Sequence, residues 1–315
     1  MSRIRIRHTT VYHYAEPVAF GPHRLVLRPR EGHDIRVEAQ TLSITPQARI
    51  LWHRDLFGNS IATVTFSAPS SILEILNDLI VGKRDHHPRH GMDPSPGPVF
   101  PFVYNAWENA VALAYQEAVY GEERPALRQW METLFALSLV RDGGQLVSQV
   151  GEWIHQNIRY RRREDRGVQS PMETLGLSSG SCRDMATLLL EAVRSAGLAA
   201  RFASGYLDSE ASAAGRAATH AWVEVYLPEH GWVGYDPTLG ERTSFKHILI
   251  GVSAHPRGVM PVSGMYSGPE SLYQGMRVSV RIDRLEDAVY AGEEAVSGSP
   301  AEVPSASEPF SDDGR

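Results

Sequence analysis

Between Lys83 and Pro101 the chain carries Pro88, Pro94, Pro96, Pro98 and Pro101, which interrupt both helix and ladder formation over much of that stretch. The segments on either side differ in their apolar period. Before the break, short alternating runs at 24–28, 35–39, 41–45 and 61–66 are separated by turn residues at Gly32, Pro46 and 55–59. Runs of that length and spacing predict an antiparallel β-sandwich. After the break the period becomes helical over 126–137, which Pro125 opens, over 145–155, and from Met185 to a stop at Gly197. Alternation returns at 200–207, 220–227, 232–236, 245–250 and 276–282. The expected fold is therefore α+β, with helices packed on an antiparallel sheet behind a sandwich. The division is a β-sandwich over 1–82, a linker over 83–104, a catalytic core over 105–284 and a disordered acidic tail over 285–315.

The tail holds eight acidic side chains against one arginine, so it accounts for the whole net charge of −6 and leaves the rest near neutrality. Front-region charges alternate with apolar residues and form no basic stripe, which argues against nucleic-acid binding. No apolar run is long enough to span a membrane. The opening segment 1–8 alternates arginine with isoleucine and lacks the apolar core of a signal peptide, so it reads as a strand. With a single cysteine, this places the expected location in the cytoplasm. His86, His87 and His90 have neither a cysteine nor a spaced carboxylate to complete a metal site and read as a solvated loop. No calcium loop of the EF-hand type is visible, so neither metal nor cofactor is expected. His155 reads as a helix-surface residue, and the arginines at 161–163 as a solvated turn. The oligomeric state is left open.

Cys182 is the only cysteine in 315 residues, which excludes an intrachain disulfide and a multi-cysteine zinc site. It is either a buried small residue or a nucleophile. Ser181 stands at the N-cap position of the helix that follows, with Asp184 three residues on, so Cys182 belongs to the first turn. There the free N–H groups and the helix dipole favour a thiolate. Downstream, His220 opens one alternating run, Asp236 closes the next, and Pro228 and Gly231 lie between them. These runs predict a hairpin. If Tyr226 pairs with His230, His220 faces Asp236, and the carboxylate orients the imidazole. The Ala/Gly/Ser-rich loop 209–218 reads as a mobile element beside His220. Asp184 reads as a cap, and Trp222 and Trp232 as core or groove wall.

These same segments carry a resemblance. GSCRD at 180–184, THAWVEVY at 219–226 and GWVGYDPT at 231–238 resemble the three motifs of the bacterial transglutaminase-like family, in a superfamily related to papain-like cysteine proteases. The front of the chain, with Tyr12, Tyr14, Pro17, the run 25–30 and DLFGN at 55–59, resembles the β-sandwich region that precedes such cores. Ser181 and Met185 depart from larger apolar residues common in the family, and neither is a proposed reacting group. The resemblance implies Cys182, His220 and Asp236 as a catalytic triad. It also implies acyl transfer through a thioester on peptide, protein or carboxamide substrates, resolved by water (protease, isopeptidase or amidase) or by an amine (transglutaminase). The alternative is a non-catalytic protein-interaction scaffold on the same fold.

Overall fold

The computed structural model describes residues 2–84, 99–101, 103–162 and 167–285. The expected acidic tail lies outside these residues apart from Leu285, as do His86, His87, His90 and most of the 83–104 linker.

The front of the chain forms β1 (Ser2–Phe20), β2 (His23–Leu25), β3 (Ile35–Thr45), β4 (Ala48–Arg54), β5 (Ser60–Phe66) and β6 (Ser70–Lys83). One antiparallel sheet runs β1-β6-β3 and the other β2-β5-β4. In β1, Ile4, Ile6, His8 and Thr10 turn inward while Arg5 and Arg7 face solvent, as a period of two requires. The runs 35–39 and 41–45 are one strand. A bulge between Val37 and Ala39 shifts the phase of alternation, so Ile35 and Val37 share a face with Leu42 and Ile44 further along.

The helical stretch contains α1 (Ala106–Gln116), α2 (Arg124–Phe135), α3 (Gly143–Asn157), α4 (Pro171–Leu177) and α5 (Cys182–Ser195). Between them, β7 (Arg159–Tyr160) pairs in parallel with β8 (Ser179–Gly180). The short α4 opens with Ser170, Pro171 and a reciprocal Ser170/Glu173 capping box. After α5 come β9 (Ala200–Leu207), α6 (Glu210–Ala213), β10 (His220–Leu227), β11 (Gly231–Asp236), β12 (Glu241–Arg242) and β13 (His247–Ser253). They form a sheet in the order β12-β11-β10-β9-β13. Helix α5 lays Met185, Leu188, Leu189, Ala192 and Val193 into the cluster that holds Phe202, Ala221, Val223 and Val225 of this sheet. Among the described residues, no helix is long and apolar enough to cross a membrane.

Three further strands, β14 (Val262–Ser263), β15 (Tyr266–Ser267) and β16 (Tyr273–Leu285), return to the front sheets. β14 pairs with β2, while β15 and β16 pair with β1. Residues 273–284, grouped with the core on sequence, thus complete the first sheet, with Arg3 opposite Leu285 and Tyr12 opposite Met276. The reason is burial: Val280 and Ile282 join Ile4, Ile6, Leu79 and Val81 in a cluster that also holds Tyr206, Ile248 and Ile250 of the core. The DLFGN turn makes the second tie. Asn59 donates to the Val252 carbonyl at 2.7 Å and accepts from the Val252 amide at 2.9 Å, which mimics a strand pairing with β13. Asp55 supports Asn59 by accepting from its backbone and side-chain N–H groups.

Loop 209–218, expected to be mobile, is partly structured. It contains α6 and is held to β16 by Val280 N–H on the Ala217 carbonyl at 2.8 Å and by the Ser279 hydroxyl on the Gly215 carbonyl at 2.7 Å.

Gly205, opposite His220 on β9, is where two elements close over the backbone: a Cβ there would collide with the Ile248 carbonyl and the Trp222 ring. We expect Gly205→Ala to cost about 3 kcal/mol or more, because a backbone carbonyl yields less readily than a flexible side chain. A urea unfolding midpoint within error of wild type would contradict this.

Candidate active site

Cys182 is the first residue of α5 and is 8% exposed. Its position is set by the cap before it. The Ser181 amide and hydroxyl both donate to Asp184 Oδ2 at 2.8 Å, while Asp184 Oδ1 accepts the Gln169 amide at 2.8 Å. Asp184 is fully buried and ties the helix head to the segment before α4, as a capping residue would. Tyr160, paired with Gly180 across the β7–β8 ladder, lies within the electrostatic reach of Cys182, Arg162 and Arg183.

The β10–β11 hairpin forms with a different register from the expected one. Tyr226 pairs with Trp232 and Leu227 with Gly231, so the loop is 228–230, with Glu229 and Gly231 at positive φ. Relative to the sequence expectation the register moves by two residues. A shift of two keeps every side chain on its face. His220 and Asp236 are therefore diagonal rather than opposite neighbours, and they still meet, with His220 Nε2 2.6 Å from Asp236 Oδ2. Helix α5 packs on the other face, against Ala221, Val223 and Val225. His220 and Cys182 are each the first residue of their elements, and they are near enough that the Cys182 side chain helps to raise the pKa of His220. With Nε2 engaged by Asp236, Nδ1 is the nitrogen left for the thiol.

Asp236 is 1% exposed and fully partnered. Oδ1 accepts the Thr238 amide at 2.8 Å, and Oδ2 faces both His220 and, at 3.0 Å, His247 Nε2. Burial by itself would favour the neutral acid, but the hydrogen bonds and charges of the two histidines hold the carboxyl well below the usual range. Burial likewise opposes protonation of His220, yet Asp236 and Cys182 outweigh it and push its pKa up to about 10.

Residues 4–81 match the model of the bacterial transglutaminase-like N-terminal region, and residues 138–237 match that of the transglutaminase-like superfamily. The chain belongs to the transglutaminase-like superfamily. Enzymes of this superfamily rely on cysteine-based catalysis. An uncharacterised protein of Mycobacterium tuberculosis strain H37Rv is 28% identical over 314 residues, covering 92% of this chain and 95% of that one. A protein-glutamine gamma-glutamyltransferase of Pseudomonas aeruginosa is 39% identical over 66 residues, which is 19% of this chain and 10% of that protein. A solved structure from Cytophaga hutchinsonii, described as a candidate cysteine protease, superposes with a TM-score of 0.67 at 15% identity, covering 90% of this chain and 91% of that one. At that identity the likeness is one of fold.

In this transglutaminase-like chain the three residues singled out on sequence lie together, and one further group joins them. That group is His247, which the sequence shows only as part of a strand, a polar side chain opening the apolar run 247–252. His155 Nδ1–H donates to the Thr238 carbonyl at 2.8 Å and so braces the segment after Asp236. Trp222 is buried against His247, and Trp232 lies under the Arg201 guanidinium. His220, Asp236 and His247 offer three possible metal-ligand atoms within 4.8 Å of one another. They fit a metal poorly. The Ser244 amide donates to His247 Nδ1 at 3.1 Å, which leaves the ring proton on Nε2, facing the carboxylate. A metal at Nε2 would drive that proton to Nδ1, against the Ser244 N–H.

The two shifts give opposite pH signatures. The raised pKa of His220 contributes stability that is complete below the unfolded value of about 6.5 and is lost as pH rises through about 10. The depressed pKa of Asp236 contributes stability above its unfolded value of about 3.9, lost as pH falls through the folded value. The wild-type urea midpoint should therefore decline between about pH 6.5 and 10, and His220→Gln should remove that decline. Parallel curves for the two proteins over this window would refute the assignment.

Proposed function

We propose that the protein is a cysteine acyl-transfer enzyme acting on peptide or carboxamide groups through a thioester, with Cys182, His220 and Asp236 as its catalytic residues. The observation that carries this reading is the 2.6 Å contact between His220 and a buried, ionised Asp236, made by a histidine whose pKa the nearby Cys182 side chain also raises. A buried carboxylate in contact with an imidazole fixes the tautomer, so that Nδ1 is directed to the sulfur.

His220 takes the thiol proton, and the Cys182 sulfur attacks the carbonyl carbon. As the C–S bond forms, the carbonyl π electrons move to oxygen, and the backbone N–H of Cys182 at the helix head stabilises that charge. When the tetrahedral intermediate collapses, the C–N bond breaks and the nitrogen leaves with the proton held by His220. A thioester remains. Water, activated by His220, releases the acid; an amine in the same position forms a new amide. Asp236 keeps its charge throughout and stabilises the imidazolium. The charge balance of the chain supports a peptide or protein substrate in preference to a nucleic acid.

The experiment is turnover of a glutamine-containing peptide library with and without a labelled primary amine, followed by mass spectrometry. Label incorporation indicates transfer, a one-dalton gain at glutamine indicates deamidation, and new termini indicate proteolysis. Cys182→Ala should abolish every such product, and Asp236→Asn should lower kcat by about 10²- to 10⁴-fold, the range for an orienting carboxylate. If products persist in Cys182→Ala, the nucleophile is misassigned. If the wild type turns over no peptide but captures a protein tightly, it is a scaffold.

A further inference from the structure

Asp236 needs only His220 for the acyl-transfer chemistry, yet its carboxylate contacts two imidazoles. His247 enters from β13, across β9 and β10, and its side chain is 3% exposed. Gly205 on the intervening strand has no side chain, and the space above it is taken by the Trp222 ring, against which His247 stands edge-on at a centroid distance of 5.3 Å. The His220 and His247 ring centroids are 6.1 Å apart, so the two imidazoles do not bond to each other and converge only on Asp236 Oδ2.

The orientation of His247 is fixed from behind. The Ser244 amide donates to its Nδ1 at 3.1 Å, and the backbone amide of His247 donates to the Ser244 carbonyl at 2.9 Å. The proton on Nε2 therefore has one acceptor, Asp236 Oδ2 at 3.0 Å. With the Thr238 amide on Oδ1, both carboxylate oxygens are held by donors other than His220. A buried carboxylate with His220 as its only Oδ2 donor would be free to turn with that ring. Pinned by His247, it becomes a fixed reference for the ring.

We propose that His247 is a positioning residue, whose Nε2–H anchors Asp236 so that His220 is held with Nδ1 toward Cys182. This rests on the catalytic reading of Cys182, His220 and Asp236. It differs from a packing role in that the Nε2 donor matters and the bulk of the ring does not. Glutamine places an amide N–H near the position of imidazole Nε2. Asparagine, one methylene shorter, reaches only to the position of Nδ1, and leucine has no donor.

Because Cys182 is the only cysteine, its alkylation by iodoacetamide reads the site without a known substrate. At pH 7, in the full-length protein, wild type should react faster than glutathione, and His247→Gln should stay within about threefold of wild type. His247→Leu and His247→Asn should each fall by about tenfold, the scale of one hydrogen bond to a charged group. Melting temperatures measured alongside separate this loss from unfolding, and His247→Asn keeps the comparison if the leucine variant does not fold. On a peptide substrate the same variants should lose kcat with KM unchanged. Equal alkylation of His247→Asn and wild type, or a glutamine variant as slow as the asparagine one, overturns the role of His247 and leaves the triad standing. A wild-type rate no greater than that of glutathione overturns the catalytic reading itself, and this inference with it.

Discussion

A carboxylate sealed from water governs the geometry around it. Asp236 is almost inaccessible and ionised, and a buried charge without donors would be prohibitively costly. Its oxygens are met by N–H groups from three directions: the Thr238 amide just beyond β11, His220 from β10 and His247 from β13. Each donor restricts an element. The segment after Asp236 must turn at once, β10 must begin at His220, and β13 must extend past the start of β10. Gly205 leaves room for the Trp222 ring, against which His247 stands.

The second constraint is the union of the front sheets with the core. β14, β15 and β16 pair with β2 and β1, so the chain starts and finishes its described part in the same layers. Residue-by-residue pairing of β16 with β1 covers an edge that would otherwise present unpaired backbone groups. The Asn59–Val252 pair and the cluster of Ile4, Ile6, Val280, Tyr206 and Ile248 bind that assembly to the strand that carries His247. The sandwich is thereby part of the support of the site. DLFGN, which on sequence was only a turn signal and a family likeness, has a mechanical role in this joint.

Local patterns were legible where one segment supplied its own reason. Alternation in β1, β10 and β11, the Ser181/Asp184 cap and the stop at Gly197, whose φ is +95°, are all properties of a few adjacent residues. Membership of the superfamily was legible for the same reason, since its motifs are short and continuous. The bulge in β3 was visible only as a break in phase between Val37 and Leu42, which reads equally well as two strands. The hairpin register was not decided by its flanking runs, because a loop over 227–229 and one over 228–230 both keep the apolar face inward. The backbone selected the second by placing Glu229 and Gly231 at positive φ.

From the sequence alone came the single thiol at a helix head, the histidine and aspartate that close a hairpin, and the alternation that puts both on one face. These depend on spacing, and a period of two survives a register shift of two. Only the tertiary structure brought β16 back to β1, anchored the loop beside His220, and set His247 against Asp236 from a strand two places away from β10 in the sheet. These are meetings between residues distant in the chain, decided by which buried polar groups find partners and which apolar faces find cover. No local pattern encodes them.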